Sequence, residues 1–173
     1  MSMDVIMDLI IKSRAFSTKK RTKQIKEELV GMYGERVNQY IDENVEEGKL
    51  DNGGLVVLIK KEPRFFKEDE ADATWIPFVD VAREINMKRI IVDQPAVPYI
   101  SSGADVMRPG IVDIDGTIKK DDLVAIADQK NKVTIAIGKA MFDAGEMKAM
   151  DKGKVIKTIH HAGDKYWALK KKT

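Results

Sequence analysis

The spacing of apolar residues changes character near the middle of the chain. In the first half it is largely helical. Ile25, Leu29, Met32 and Tyr33 recur at i, i+4, i+7 and i+8, bounded by Thr18, a good N-cap, and by Gly34, a good helix stop. Val37, Tyr40, Ile41 and Val45 repeat the pattern up to Gly48 and predict a second helix. The turn cluster Asp51-Asn52-Gly53-Gly54 opens a strand over residues 55–60, and residues 64–67 predict its hairpin partner across Lys61-Glu62-Pro63. Trp75, Phe78, Val81, Ala82 and Ile85 then predict a third helix, with Pro77 in the first turn, where a missing N–H costs little.

From Arg89 onward the chain reads as short strands at residues 89–93, 123–128, 133–138, 154–160 and 165–169. Turns at Asp115-Gly116, Gln129-Lys130-Asn131-Lys132 and Ala162-Gly163-Asp164 separate them. About six strands in this half predict a closed or nearly closed barrel, which removes free sheet edges. The expected fold class is therefore α+β, with a small N-terminal α+β domain over residues 1–88 and a mainly β pseudo-barrel over residues 89–173.

Composition narrows the function classes. Among 173 residues, 43% are hydrophobic and 34% charged, enough for a core and a well-solvated surface. No run approaches the roughly 18 apolar residues of a membrane span. The run at residues 5–11 contains Asp8 and is too short for a signal peptide, so a cytoplasmic address is expected. The absence of cysteine removes disulfides, thiolate zinc sites and cysteine nucleophiles together. The net charge of +2 is unevenly placed: residues 1–88 hold 15 basic and 17 acidic side chains, residues 89–173 hold 15 and 11. A basic second half favours a polyanion partner. The densest basic run, residues 12–26, holds Lys12, Arg14, Lys19, Lys20, Arg21, Lys23 and Lys26 without an acid. It suits either a solvated helix face beside a flexible entry segment or an RNA contact.

The most informative stretch is VDQPAVPYISSGADVMRPGIV, residues 92–112. Gly103 and Gly110 lack a Cβ, so a partner can come close and the chain can adopt φ > 0. Pro109 stiffens the approach to Gly110, and Arg108 offers a planar, always-charged fork for phosphate. This stretch resembles the glycine-anchored RNA-contact segment of the PUA domain, a small β-barrel named after pseudouridine synthases and archaeosine transglycosylases. Residues 152–169, KGKVIKTIHHAGDKYWAL, resemble the last strand pair of that domain. The two-domain layout is similar to the malignant T-cell-amplified translation proteins and their archaeal relatives, and the SGADVM and IHH phrases point to an archaeal source.

That resemblance implies non-catalytic RNA binding linked to translation. The RNA would be a tRNA acceptor end or small-subunit rRNA, with a translation-factor protein as a further partner. It places the contact surface on Ser102, Gly103, Ala104, Met107, Arg108, Pro109 and Gly110. Lys152 and Lys154 join it because they begin the strand expected beside the glycine segment, while Lys119, Lys120, Lys132 and Lys157 form a looser positive flank. The N–H groups of Gly103 and Ala104 are expected to face phosphate or ribose oxygens, and Met107 and Pro109 to pack on a ribose or terminal base.

Other chemistry is poorly supplied. His160 and His161 are adjacent on a strand and point to opposite faces, so they do not readily share a metal. No Ser/His/Asp or P-loop arrangement is present, which argues against catalysis and against a cofactor or metal. Two rival readings stay open: a protein-interaction adaptor, suggested by the acidic run at residues 68–72, and a detached RNA-targeting module for an RNA-modifying enzyme.

Overall fold

The computed structural model describes residues 8–41 and 44–171. Within them the chain builds two sheets. The first contains β1 (Ile11–Phe16), β2 (Val45–Leu50), β3 (Leu55–Ile59), β4 (Glu62–Lys67) and β5 (Ile76–Pro77) in that order, antiparallel throughout. Helix α1 (Lys19–Tyr33) starts as its sequence predicts. The Thr18 hydroxyl accepts from the Arg21 N–H at 3.1 Å, and Ile25 and Leu29 are buried. It ends at Gly34, at φ +82°, whose N–H donates to the Val30 carbonyl. Tyr33 stacks near Phe65, and the Trp75 indole N–H donates to Glu28 at 2.8 Å, so helix and sheet share one core.

Three N-terminal expectations are corrected. The second helix is reduced to a 3-10 turn at Glu35–Gln39, and Val45 instead opens β2. Helical spacing of four apolar residues is a weak signal beside two flanking strands that supply a full ladder of backbone hydrogen bonds. The third helix becomes β5 followed by the single turn α2 (Val79–Ala82). Pro77 is tolerated there because β5 is an edge strand. The entry segment to α1 is not loose chain but β1, the opposite edge of the sheet. The β3–β4 hairpin forms, but it turns at Lys60 and Lys61, both at positive φ, so Glu62 and Pro63 already belong to β4. Residues 5–7 of the N-terminal apolar run and Lys172 of the basic tail lie outside the described residues.

The second sheet is mainly β, as expected. It holds β6 (Arg89–Val92), β7 (Val106–Met107), β8 (Ile111–Ile114), β9 (Leu123–Asp128), β10 (Thr134–Ala140) and β11 (Lys154–His161), ordered β7-β11-β10-β9-β6-β8. Strands β6 and β9 run parallel and the other pairs antiparallel. The two outermost strands are joined by the three residues Arg108–Gly110, which brings the sheet close to closure. Helices α3 (Val97–Ser101) and α4 (Ala144–Ala149), unforeseen in the apolar pattern, support this second core through Ile100, Ala144 and Met147.

The run at residues 165–169 is not a strand. It forms a 3-10 turn, Trp167–Lys171, because Asp164 accepts the Trp167 N–H at 2.8 Å and the His161 N–H at 3.1 Å. The turn carries the chain's tail back onto the first sheet, where Tyr166 stacks on Phe66 at 3.8 Å and Leu169 is fully buried. His160 completes this junction. It is fully buried among Phe66, Phe78, Tyr166 and Trp167. Its Nε2 accepts the Val79 N–H at 3.2 Å, so its proton must sit on Nδ1 and donate to Asp164 at 2.8 Å. Burial alone would raise the Asp164 pKa. The hydrogen bonds from His160, Trp167 and His161 outweigh it and hold the carboxyl below its ordinary range.

Candidate nucleic-acid interface

The glycine segment lies along β11 for most of that strand's length. Met107 is opposite Lys154 and Val106 opposite Ile156. The Asp105 carboxylate then accepts the Thr158 N–H at 2.8 Å, and the Thr158 hydroxyl donates to the Ala104 carbonyl at 2.8 Å. Gly103 ends the run against His161. Two elements far apart in sequence thus present one outward face, with Ser102, Gly103, Ala104, Met107, Pro109, Lys152 and Lys154 all exposed on or beside it.

The backbone of that face is already committed. The Gly103 N–H donates to the Ile100 carbonyl and the Ala104 N–H to Tyr99, both at 3.0 Å, so neither is available to a ligand. This corrects the expected backbone grip. Gly103 is required for a different reason: its φ is +100°, and a Cβ there would stand 3.1 Å from His161 Nε2. Gly110 also serves its own chain. A Cβ on it would come 3.2 Å from the Ala96 methyl, and its carbonyl accepts the Asp93 N–H at 2.8 Å.

Arg108 departs furthest from the phosphate-fork expectation. Half-buried, it donates from Nε to the Met147 carbonyl at 2.6 Å and from Nη1 to the Ile111 carbonyl at 3.3 Å. Those bonds tie β8 and the end of α4 to the glycine segment, so Arg108 is first a brace. Lys154 is also engaged, pairing with Asp105 at 2.8 Å. Burial favours the protonated acid at Asp105, but the Lys154 ammonium and the Thr158 N–H prevail and lower its pKa. Lys152, in contrast, is exposed and has no ion-pair partner among the described residues. Of the looser flank, Lys157 sits opposite Lys139 on the β10 side of β11, and Lys132 lies in a separate hollow with Arg89, Asp115 and Thr134.

What the face offers a ligand is mostly side-chain surface. Tyr99, on α3, is 71% exposed, Met107 50% and Val112 48%. Three of the eight exposed large hydrophobics among the described residues thus fall within 14 consecutive positions. Sequence reasoning passed over Tyr99 and Val112; the available signal at Tyr99 was an aromatic directly after Pro98. His161 is the other addition. Its Nδ1 faces the Ala162 carbonyl at 2.9 Å, which can only accept, so Nε2 is left as an acceptor turned toward Gly103. It lines a groove of about 290 Å³ with Gly103, Thr158, Lys165 and Tyr166. Among the described residues no cluster of His, Asp and Glu is arranged to hold a metal, and no helix is long and apolar enough to cross a membrane.

Comparison with known proteins places this geometry. The family model for the PUA domain matches residues 88–162. An uncharacterised protein of Methanocaldococcus jannaschii is 39% identical over 162 residues, covering 92% of this chain and 98% of that one. The structure of a conserved PUA domain protein from Thermoplasma acidophilum superposes with a TM-score of 0.71 at 30% identity, over 91% of this chain and 99% of the other. Shorter matches join it to two further proteins. Translation machinery-associated protein 20 of Schizosaccharomyces pombe is 35% identical over 83 residues, 46% of each chain. The "Probable tRNA pseudouridine synthase B" of Thermococcus gammatolerans is 35% identical over 91 residues, only 27% of its own length. The full-length relatives are archaeal, in line with the expected source. With its N-terminal α+β unit preceding the matched barrel, the chain belongs to the PUA-domain proteins.

Proposed function

We propose that this chain is a non-catalytic RNA-binding protein acting in translation or tRNA and rRNA handling. It would hold RNA on the face formed by the glycine segment and the outward side of β11. The observation that carries this reading is the exposed Met107 set opposite Lys154 on β11, two residues from the exposed Lys152, with the largely exposed Tyr99 on the helix that leads into the glycine segment. Exposed apolar and aromatic surface next to free positive charge suits a ribose or terminal base on one side and a phosphate on the other. Because the Gly103 and Ala104 N–H groups are internally bonded, recognition would run through side chains and through His161 Nε2, which can accept from a ribose hydroxyl. The partial matches to a translation-associated protein and a tRNA-modifying enzyme support RNA as the ligand class. In the latter, the shared stretch covers about a quarter of the enzyme, which supports a targeting rather than catalytic part here.

The test is binding of the full chain to small ribosomal subunits, and to tRNA with and without its CCA end, over a salt series. Salt-sensitive binding that weakens when the CCA end is removed would assign the acceptor end as ligand. Equal binding to both tRNAs but tighter binding to subunits would assign rRNA. Absence of binding at low salt to all three would end the RNA reading.

One observation favours a protein partner at a different place. Between the two sheets lies a cleft of about 710 Å³ whose walls include Glu68, Asp72, Asp115, Asp121 and Asp122, with Lys88 already paired to Asp122. That charge repels RNA and suits a basic segment of a translation-factor protein. Recovery of a protein partner that survives nuclease treatment would test it.

A further inference from the structure

The basic run at residues 12–26 has a definite shape in the structure. Helical spacing puts Lys19, Lys23 and Lys26 on one exposed stripe of α1, away from the buried Ile25 and Leu29. Lys12 and Phe16 occupy alternate positions of β1, which forms the outer edge of its sheet, and Lys20 lies in the first turn of the helix that follows. Arg14 and Arg21 are neutralised by Glu46 and Glu47. The five lysines are not. Lys23 comes within 3.9 Å of Glu27, both being well exposed, and Lys12, Lys19, Lys20 and Lys26 form no ion pair among the described residues.

This arrangement works against the fold. The first turn of α1 contains no acid, so Lys19, Lys20 and Arg21 sit where a helix favours negative charge. Phe16, four residues after Lys12 on β1 and three before Lys19, is 67% exposed. A merely solvated helix face needs neither feature.

We infer that this face is a second RNA-binding surface, contacting the phosphate backbone through Lys12, Lys19, Lys20, Lys23 and Lys26 and stacking a base on Phe16. Charge complementarity selects a polyanion, and the exposed aromatic on the same strand as Lys12 offers a base a stacking surface, which favours nucleic acid. The inference rests on the RNA reading of the glycine segment and extends it. The protein grips one RNA at two places, on β1–α1 and on β7–β11, and so reads its overall shape.

The test compares the wild type with Lys12→Gln/Lys19→Gln/Lys20→Gln and with Met107→Glu, titrating a fluorescent tRNA transcript over a salt series. The three lysines are exposed and unpaired, so the triple variant should fold as the wild type does, and circular dichroism and thermal melting check this. The triple variant is expected to lower the log–log salt slope by about two to three units and to weaken binding roughly tenfold or more at moderate salt. Combining it with Met107→Glu should weaken binding further than either alone. An unchanged slope and affinity in the folded triple variant, while Met107→Glu loses binding, would overturn this inference and leave the glycine-segment reading standing. Loss in the triple variant with Met107→Glu unaffected would do the reverse. A wild type that binds no RNA overturns both. Vesicles of phosphatidylglycerol and phosphatidylcholine serve as a parallel arm. Retention that the triple variant loses, with its RNA affinity intact, would assign the face to membranes instead.

Discussion

Strand β11 has two sides that do opposite things, and its last two residues show the contrast. His160 points inward and is fully buried, with both ring nitrogens bonded and four aromatic rings around it. His161, one residue on, points outward beside Gly103 with Nε2 unspent. The inward side joins the two sheets through His160, whose ring nitrogens bond Val79 and Asp164. The outward side, beyond the bonds of Thr158 and Lys154 to the glycine segment, presents exposed side chains whose loss should leave the fold nearly unchanged. Strand alternation is what allows one element to be both brace and contact surface. Mutations should therefore separate cleanly into those that change stability and those that change binding.

The largest expected effect lies on the inward side. Asp164→Ala strands three donors, from His160, His161 and Trp167, and should cost about 3–4 kcal/mol of unfolding free energy in denaturant titration. The same carboxylate predicts an acid limb. Its folded pKa lies below the ordinary 3.8, so its stabilisation is complete above that value and is lost as pH falls through the folded value. Stability measured from pH 6 to pH 2 should fall at the acid end in the wild type, and that component should be missing in Asp164→Ala.

Gly103→Ala links the two sides. At φ +100°, and with a Cβ 3.1 Å from His161, it should lose about 1–2 kcal/mol and also weaken RNA binding by displacing the ring. A variant that loses neither would show that the close approach is slack. Tyr99→Ala should leave stability within about 0.5 kcal/mol, because the ring is largely exposed, yet weaken RNA binding about five- to 150-fold, from about 1–3 kcal/mol per stacked base. The smallest change is Lys152→Ala, which should lower the log–log salt slope by about 0.7 to 0.9, one phosphate contact. Measurable destabilisation from either of these two would blur the division between the sides.

How far the amino-acid sequence anticipates this molecule depends on where its information is local. Strands β6, β9, β10 and β11 are marked by short apolar runs between Gly, Asp and Asn turns, and the structure places all four where those runs fall. The α+β class and the near-closed second sheet follow from the same pattern. Strands β1 and β2 left no such mark. β1 is mostly exposed and so carries little apolar alternation, and the apolar residues leading into β2 happened to fall at helical intervals. Residues 165–169 misled for another reason: Asp164, a side chain bonding nearby backbone, outweighed the propensity of Tyr166 and Trp167 for a strand.

The candidate face was legible as a place more than as a set of roles. Met107 lies opposite Lys154, as the strand order implied, and Lys152 precedes that strand by two residues. The residue types at Gly103, Gly110 and Arg108 suggested ligand contact, but each is tied first to its own chain through a close approach or hydrogen bond that only the folded structure reveals. Tyr99 and His161 were missed as candidate contacts: an aromatic after Pro98 is a weak signal, and nothing in the sequence beside His161 marks its ring as outward.

The most direct measurement is a backbone amide NMR titration of the full chain, ¹⁵N-labelled, with a tRNA bearing its CCA end. Perturbed resonances should concentrate at residues 97–112 and 152–165, with a separate set at residues 12–26, while Val79 and its neighbours at the junction stay in place. Saturable binding that leaves residues 97–112 and 152–165 untouched would contradict the assignment of the outward side of β11 as the RNA-contact face.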